Sequence, residues 1–416
     1  MQIPSRIPSL NMKLSLGHRR GGADVVGLDI QPGFVAAVKA RVNGSIVAEQ
    51  AAALPLPADI MRDGEVMDGD ALGDVLRELF SASGMSKRVR IGVANQRTVL
   101  RTLELPPVTD HKDLAAAVSF QAQEQVPMPL SNAVLDFHPL GIVDTPAGPR
   151  QRVVLVAAQR DMVERLLGAV RHAGLTAEGV DLSAFALIRS LYQHDAEQVG
   201  RVLYLNVDGL TNLAIAEGKI CRFTRVVGSG LEGMAIELAE RRSIALADAR
   251  ALLAAVDLTA PAPAPSVSSE PGPEMAETVV EDPAADGDLD VSPEEHEDES
   301  SMNYEEMSAL GAASVSAPAS DADVISVIEN GIRDISGEVR NSLDFHRSQD
   351  GGGEVSHVVL SGSAEDIPGF AEALAASLGV EVRSAEVGVI DGRIADAVSP
   401  HRLAVATGLA AVEAPQ

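Results

Sequence analysis

Short apolar runs separated by glycine-bearing turns open two stretches of the chain in the same way. From Val25, VVGLDIQPGFVAAVKARVNGSIVAEQAAALPLP predicts strand, turn, strand, Asn-Gly turn and strand. From Arg201, RVLYLNVDGLTNLAIAEGKICRFTRVVGSG predicts the same order, with Glu217-Gly218 at the second turn. Asp29 and Asn206 hold matching positions, at a spacing far beyond the roughly 20–50 residues of a solenoid repeat. The pattern predicts two related lobes that face each other across a cleft.

The predicted cleft has a definite chemistry. Two facing hairpin turns present backbone N–H groups that can hold phosphates. An acidic side chain at the end of each first strand can hold Mg²⁺ through water, and Asp29 and Asp208 are the candidates. For either hairpin alone, the same residues can simply stabilise a turn. The repetition of the pattern favours the binding interpretation without excluding the other.

Residues 89–105 alternate well enough to predict two strands around Asn95–Gln96. Pro106-Pro107 ends that run, and Thr109 or Asp110 can cap the helix that follows. Strands near 133–140 and 151–158 and a helix over 160–173 come next. We expect a small subdomain at about 106–178, inserted in the first lobe.

Near the C-terminus, HVVLSGSAEDIPGFAEALAASLGVEV predicts a buried strand, a glycine turn at Gly362 and a helix. A strand that feeds a small-residue turn over a cleft is a usual place for a nucleotide base or sugar. A plain strand–turn–helix unit without a ligand is the alternative interpretation of the same pattern.

Composition narrows the class of protein. The 416 residues are 46% hydrophobic but only 3% aromatic, so aliphatic side chains must fill the core. The formal net charge of −27 argues against nucleic acid as a partner, because phosphate recognition needs a basic surface. The single cysteine, Cys221, cannot form an internal disulfide and gives no metal-site spacing.

Most of the negative charge lies in one segment. Residues 256–322 carry 17 Asp and Glu and 8 Pro without any Lys or Arg, and they show no sustained apolar period. Low hydrophobicity with high like charge does not offset the entropy of ordering. We therefore predict a disordered acidic insertion at 256–322, with a short binding helix near 303–310 as the alternative for one part of it.

The first 24 residues carry scattered basic side chains and three interruptions, Pro4, Pro8 and Asn11, in place of a signal peptide's continuous apolar stretch. We expect a flexible leader at 1–24, with weak contact to anionic lipid as the alternative. No apolar run in the sequence approaches the roughly 20 residues that span a bilayer, so we expect a cytoplasmic protein.

Four sequence motifs resemble one known family. They are RTVLRTLELPP at 97–107, QVPMPL at 125–130, LDFHPLG at 135–141, and HAGL with GVDLSAFAL over 172–187. They resemble the PilM family, cytoplasmic actin-like proteins of type IV pilus assembly that are related to the division protein FtsA. The resemblance extends over about 25–412, except for the acidic insertion.

The resemblance implies an α/β fold of the actin/Hsp70 type, with two lobes, an FtsA-like inserted (SHS2) subdomain and the disordered acidic insertion. The first lobe would cover 25–195, and the second would cover 196–255 and 323–412. The resemblance also implies a cleft for ATP and Mg²⁺. Its implied partner is the N-terminal cytoplasmic tail of the inner-membrane protein PilN, which would recruit the chain to the inner face of the membrane beside other pilus assembly proteins.

The family's nucleotide loops map onto a defined set of positions in this chain. The implied nucleotide contacts are Asp29, Gly33, Asn206, Asp208, Thr211, Gly228 and Gly362, with Asp29 also holding Mg²⁺ through water.

Several of these loops depart from the family pattern. Gln31 stands where Gly is usual, Ala36 replaces a Lys, and Asn206 replaces an Asp. Ser363 replaces a second Gly, and Gln121 stands where Glu is common. An added Cβ crowds a phosphate turn, and each lost charged contact costs about 1–3 kcal/mol. We therefore expect weakened ATP binding and no competent ATPase.

Three functions remain under consideration. The first is an adaptor that binds a membrane partner's peptide, with no catalytic residues of its own. The second is an active ATPase of pilus assembly, and the third is a small-molecule kinase, which would need a general-base carboxylate that the sequence does not offer. An FtsA-like division role is the alternative within the fold, but residues 403–416 lack the basic and aromatic anchors of a membrane helix. Self-association is left open, and the apolar surface near the inserted subdomain is the expected peptide groove.

Overall fold

The computed structural model describes residues 25–146, 148–193, 200–260, 321–349, 352–390 and 398–411. The predicted leader at 1–24 and residues 261–320 of the predicted acidic insertion lie outside the described residues.

The elements are numbered in chain order. Up to residue 193 they are β1 Val26–Gln31, β2 Phe34–Asn43, β3 Ser45–Pro55, β4 Met61–Arg62, β5 Glu65–Val66, α1 Gly69–Ser83, β6 Arg88–Val93, β7 Val99–Leu105, α2 His111–Gln125, β8 Ala133–Thr145, β9 Gly148–Gln159, α3 Arg160–His172, β10 Thr176–Leu182 and α4 Ser183–Leu191, with a 3₁₀ helix at Leu130–Asn132. From residue 200 they are β11 Arg201–Val207, β12 Thr211–Glu217, β13 Ile220–Val227, α5 Leu231–Arg242, α6 Leu246–Ala255, α7 Ala322–Ser348, β14 Val355–Ser361, α8 Phe370–Leu378, β15 Val382–Ser384, β16 Gly388–Val389 and α9 Ala404–Ala410, with 3₁₀ helices at Ser363–Asp366 and Pro400–Leu403.

Two sheets repeat one topology. The first has the order β10-β6-β1-β2-β3-β16 and the second the order β13-β12-β11-β14-β15. In both sheets, three antiparallel strands joined by tight turns form a meander, which is β1-β2-β3 in the first sheet and β11-β12-β13 in the second. Two further strands, β6 and β10 or β14 and β15, run parallel to the first strand of the meander and extend the sheet beside it. The two predicted meanders are therefore confirmed. The small C-terminal strand β16 departs from the repeat, because it pairs with β3 at the edge of the first sheet.

Helices cover the sheets in layers. Helices α1 and α3 pack on one face of the first sheet, and α5, α6, α7 and α8 pack on the outer face of the second. Helices α4 and α9 lie between the two sheets and share one apolar core with both. Helix α9 contacts β1, β2 and α4 directly.

The sequence chemistry at the ends of these helices accounts for where they begin and stop. Asp68 caps α1 by accepting from the backbone N–H groups of Asp70 and Ala71, and Gly84 ends it at φ +64°. Asp110 caps α2 in the same way, as the sequence predicted. Helix α3 buries six apolar residues on its inward face, and they are Met162, Val163, Leu166, Leu167, Ala169 and Val170.

A three-stranded sheet of order β7-β9-β8, with α2 packed on it, forms a separate core. The predicted bounds of this subdomain, about 106–178, differ from the packing at both ends. Strand β7 lies inside the subdomain, because Leu103 and Leu105 pack with Leu114 of α2. Helix α3 instead packs against α1 in the first-lobe core, so residues 99–159 make the unit. The sequence alone could not show this, because an amphipathic helix does not reveal which sheet it covers.

The bounds of the predicted insertion, 256–322, also need correction. Val256 is 3% exposed in the second-lobe core, and the backbone N–H of Leu258 donates to the Pro368 carbonyl at 2.9 Å. Asp321 caps α7 and accepts from Arg242 Nη1 at 2.7 Å. Residues 256–260 and 321–322 therefore belong to the second lobe.

The longest helix in the described ranges is α7, with 27 residues. Its buried face carries Val324, Val327, Ile328, Ile332 and Ile335, while charged residues occupy the opposite face. Neither α7 nor any other helix of the described chain combines the length and the apolar character that a membrane span requires.

Candidate functional site

The two lobes meet backbone to backbone at their hairpin turns. A Cβ placed on Gly209 of the second hairpin would lie 2.0 Å from the carbonyl oxygen of Pro32 in the first. A Cβ on Gly230 would lie 2.5 Å from the carbonyl oxygen of Gly209, and one on Gly362 2.5 Å from that of Val207. Side chains are excluded at these three positions because the backbones are in contact. The predicted facing turns are therefore present, and they touch.

Asp208 is fully engaged inside the second lobe. Its Oδ1 accepts from the backbone N–H and the hydroxyl of Ser363, each at 2.7 Å. Its Oδ2 accepts from Asn206 Nδ2 at 2.7 Å. Burial raises the pKa of Asp208, while the hydrogen bonds from Ser363 and Asn206 oppose that rise. The carboxylate thus ties the second hairpin to the turn at Gly362 and does not reach a cavity.

Asp29 lies beneath the first hairpin and is 1% exposed. Its Oδ1 accepts from Gln31 Nε2 at 3.2 Å, and its Oδ2 has no hydrogen-bond partner. Burial, with the nearby Asp208 as a second cause, raises the pKa of Asp29 to about 8. Asp29 and Asp208 are therefore close enough to interact across the lobe boundary, and Asp29 is mainly protonated at neutral pH.

A cavity of about 410 Å³ opens between the lobes at these turns. Its inner end is formed by Gly33, Gly209 and Leu231 and by the ion pair between Glu232 and Arg250. Its outer end is lined by apolar side chains of α6 and of the segment after β14, among them Leu253, Ala254 and Ile367. Arg402 also lines it and places its guanidinium 5.1 Å from the ring centroid of Phe34.

A second cavity, of about 720 Å³, lies at the other side of the lobe boundary. Gly228 lines it, and a Cβ there would approach Gln96 Nε2 at 3.5 Å. Thr211 is buried behind it and donates from its hydroxyl to the Ser229 carbonyl at 2.5 Å. The surroundings of this second cavity are mainly polar and include the ion pair of Arg225 with Glu338 at 2.7 Å.

The structure thus separates the residues that the family resemblance grouped into one site. Gly33 lines the 410 Å³ cavity and Gly228 lines the 720 Å³ cavity. Asp29, Asn206, Asp208 and Thr211 are at most 1% exposed and line neither, while Gly362 holds φ +99° in contact with Val207.

Glu232, Arg250 and Arg402 are the cavity residues that the sequence analysis missed. Glu232 stands directly after the Gly228–Leu231 turn, which is a weak signal that it lies near the cleft. Arg250 and Arg402 gave no signal, because an isolated Arg in a helical stretch is usually a surface residue.

A magnesium-bound triphosphate does not fit these residues. The oxygens of Asp208 already accept three internal hydrogen bonds, and Asp29 lines neither of the two interlobe cavities. The carboxylate of Glu232 lies against the first hairpin turn, where the family resemblance implies a nucleotide contact, since a Cβ on Gly33 would be 2.8 Å from its Oε2. Within the described ranges, no three His, Cys, Asp or Glu side chains converge as metal ligands.

A groove of about 230 Å³ lies where three parts of the fold meet. The inserted sheet contributes His138, Leu140 and Val154, and the β12–β13 hairpin contributes Lys219, Ile220 and Cys221. Helix α4 contributes Phe185, Ile188 and Arg189, and Tyr192 follows directly after it. Most of these side chains are apolar. Lys219 places its ammonium 5.4 Å from the ring centroid of Tyr192. Arg189 is fixed by a 2.9 Å ion pair with Asp181. The groove is therefore an apolar depression with a positively charged rim.

Comparison with known proteins identifies a family with a similar sequence and a solved structure with a similar fold. Residues 27–202 match the family described as type IV pilus assembly protein PilM. A solved structure described as the PilM-PilN type IV pilus biogenesis complex aligns with a TM-score of 0.66 at 21% identity, covering 93% of this chain and 98% of that one.

Two further solved structures align more distantly. The ethanolamine utilization protein EutJ from Carboxydothermus hydrogenoformans has a TM-score of 0.47 at 13% identity, covering 94% of this chain and 90% of that one. MreB5 of Spiroplasma citri bound to ADP has a TM-score of 0.45 at 12% identity, covering 92% and 94%.

The expected actin-like, two-lobed α/β fold with an inserted subdomain is thus confirmed, and the duplicated sheet topology agrees with it. The sequence of residues 27–202 is thus similar to the family of type IV pilus assembly protein PilM, and most of the chain shares the fold of the PilM-PilN complex structure.

Proposed function

We propose that this protein is a cytoplasmic adaptor of type IV pilus assembly that binds the N-terminal cytoplasmic tail of a PilN-like inner-membrane protein. The observation that carries the proposal is the 230 Å³ apolar groove between the inserted sheet, α4 and the β12–β13 hairpin. The similar solved structure is a complex of PilM with PilN, which gives the partner's class. Recruitment through that partner would hold the protein at the inner face of the membrane.

The chemistry of the groove suits such a tail. Its apolar side chains can bury two or three apolar side chains of an extended peptide, which is how short peptides gain affinity. Cytoplasmic segments next to membrane spans carry an excess of Lys and Arg. The net charge of −27 attracts such a segment at long range, whereas Lys219 and Arg189 at the groove disfavour basic residues there, so the contact is made by the tail's apolar residues.

In this proposal ATP has a minor role. The fold provides an interlobe cavity, but Asp208 is already hydrogen-bonded within the second lobe and Asp29 does not line the cavity. An active ATPase of pilus assembly is the competing function, and micromolar ATP binding that is lost in Asp29→Ala would favour it.

The test is a pull-down of the purified protein with short N-terminal tails of the membrane proteins encoded beside it. We expect one tail, that of the PilN-like protein, to retain the chain without added nucleotide. A scrambled tail of the same composition is the control, because charge attraction alone would retain both. Failure of every native tail to bind would end the adaptor proposal.

A further inference from the structure

A carboxylate from the second lobe lies against the first hairpin turn. Gly33 holds φ +93° in that turn, and a Cβ placed on it would lie only 2.8 Å from Glu232 Oε2. Glu232 follows the start of α5 at Leu231 and is 8% exposed. A buried negative charge of the chain itself therefore occupies the inner end of the 410 Å³ cavity.

Arg250 of α6 holds this carboxylate in place. Its Nε donates to Glu232 Oε2 at 2.9 Å and its Nη2 donates to Oε1, so the pair is bidentate. Its Nη1 donates to the Leu56 carbonyl at 3.2 Å, and the Leu56 N–H donates to the Gly33 carbonyl at 2.9 Å. Glu232, Arg250, Leu56 and Gly33 thus form one continuous set of contacts between the two lobes. Within this set Glu232 supplies the carboxylate, which lies beside the cavity and the first hairpin turn.

We propose that the carboxylate of Glu232 occupies the part of the interlobe cavity beside Gly33 where a phosphate group would bind. It thereby makes the cavity discriminate against nucleoside triphosphates. The inference deepens the adaptor proposal, since it explains how an actin-like cleft stays closed without a nucleotide. The ligand class that the cavity accepts is an uncharged, flat ring compound at the apolar end formed by Leu253, Ala254 and Ile367.

The electrostatics support this assignment. A phosphate entering beside Gly33 would meet a like charge in a poorly solvated site, where such repulsion is strong. Three of the five N–H donors of Arg250 already bind Glu232 and Leu56, so its charge is largely balanced by the Glu232 carboxylate. Neutralising Glu232 would remove the repulsion and release a guanidinium, which is the preferred side chain for binding phosphate.

The test measures equilibrium binding of fluorescently labelled ATP and of adenosine to the full chain. In Glu232→Gln we expect ATP affinity to rise by about tenfold or more, because one repulsive charge is lost and one guanidinium is gained. Adenosine affinity should stay unchanged, and Glu232→Gln with Arg250→Gln should lose the gain for ATP. Glu237→Gln, on the exposed side of the same helix and paired only with Arg241 there, is the matched control.

An unchanged ATP affinity in Glu232→Gln, or an equal rise for adenosine, would overturn the proposal. The first result would mean that the carboxylate does not occupy a phosphate site, and the second that the substitution merely opened the cleft. If Glu232→Gln does not fold, Glu232→Asp withdraws the carboxylate from Gly33 while keeping its charge, and a smaller gain for ATP alone is expected. Tail binding in the pull-down is measured separately, so either proposal can fail alone.

Discussion

The carbonyl oxygen of Pro32 lies against the α-carbon of Gly209, so close that a Cβ on Gly209 would be 2.0 Å from it. This contact joins the first hairpin of one lobe to the first hairpin of the other. It is made by backbone alone, which leaves no space between the two turns for a bridging ligand. The cleft of this actin-like protein is closed at its centre by its own chain.

Gly209→Ala tests that closure. The added methyl group cannot share space with a backbone oxygen, so the hairpins must separate or the lobes must rotate. We expect a loss of about 2–4 kcal/mol in the free energy of unfolding, measured by urea denaturation. Gly337→Ala, on α7 with no heavy atom within 4 Å of the added Cβ, is the control and should be neutral or slightly stabilising. Equal stability of Gly209→Ala and wild type would contradict the closed arrangement.

The buried carboxyl of Asp29 predicts a dependence of stability on pH. Its folded pKa is about 8, well above the ordinary value of 3.8 for an aspartate, so between these values the folded chain keeps a proton that the unfolded chain has released. Stability should therefore fall as pH rises from about 4 to about 8. Asp29→Asn carries no such proton and should be more stable than wild type at pH 8 by on the order of 2–5 kcal/mol, with a smaller difference at pH 5.

The measurement is thermal unfolding of wild type and Asp29→Asn across that pH range. The pKa of Asp208 is raised too, so part of the slope should remain in the variant. Asp144→Asn, at an exposed position, serves as the control and should follow wild type. Parallel curves for wild type and Asp29→Asn would show that Asp29 is ionised in the folded state.

Arg250 and Glu232 should contribute unequally to stability. Arg250→Ala leaves the carboxylate of Glu232, which is 8% exposed, buried without a partner. Breaking a buried pair from one side costs about 3–5 kcal/mol, while removing both partners costs much less. In urea denaturation, Arg250→Ala should therefore be less stable than Glu232→Ala, and also less stable than the double variant in which both residues are alanine. A double variant that is less stable than Arg250→Ala would contradict the pairing.

The peptide groove can be tested at Ile220, which is 37% exposed on the β12–β13 hairpin and lines the groove. Ile220→Asp places a charge among apolar side chains that the tail should cover. We expect the affinity for the PilN-like tail to fall by about tenfold or more, measured by fluorescence anisotropy. Ile236→Asp, at a position 42% exposed on α5 and outside the groove, should bind like wild type. Equal affinity of both variants would place the tail elsewhere.

The duplicated meanders were predictable because turn residues fix where strands end. Asn43 with Gly44, and Glu217 with Gly218, stand at reversals of alternating apolar stretches, and both hairpins form there. The N-cap of α2 at Asp110 follows from local chemistry for the same reason. Assignment to a core was not predictable, since α3 has the same amphipathic pattern whether it covers the inserted sheet or the first lobe.

The candidate site was only partly predictable, because its decisive contacts are long-range. The pairing of Glu232 with Arg250 joins two helices, and their approach to Gly33 depends on how the lobes close. Asp29 was identified as a chemically special residue, and its burial and raised pKa agree with that. Its role as a Mg²⁺ ligand remains a prediction from family resemblance that the surrounding geometry does not support.

The most direct test of the account is calorimetric titration of the full chain with the N-terminal tail of the PilN-like protein, with and without ATP and Mg²⁺. An adaptor with a closed cleft predicts binding near micromolar affinity without nucleotide, changed by less than about threefold when ATP is added. Tail binding that appears only with ATP would contradict the account, because the cleft would then control the groove through a bound nucleotide.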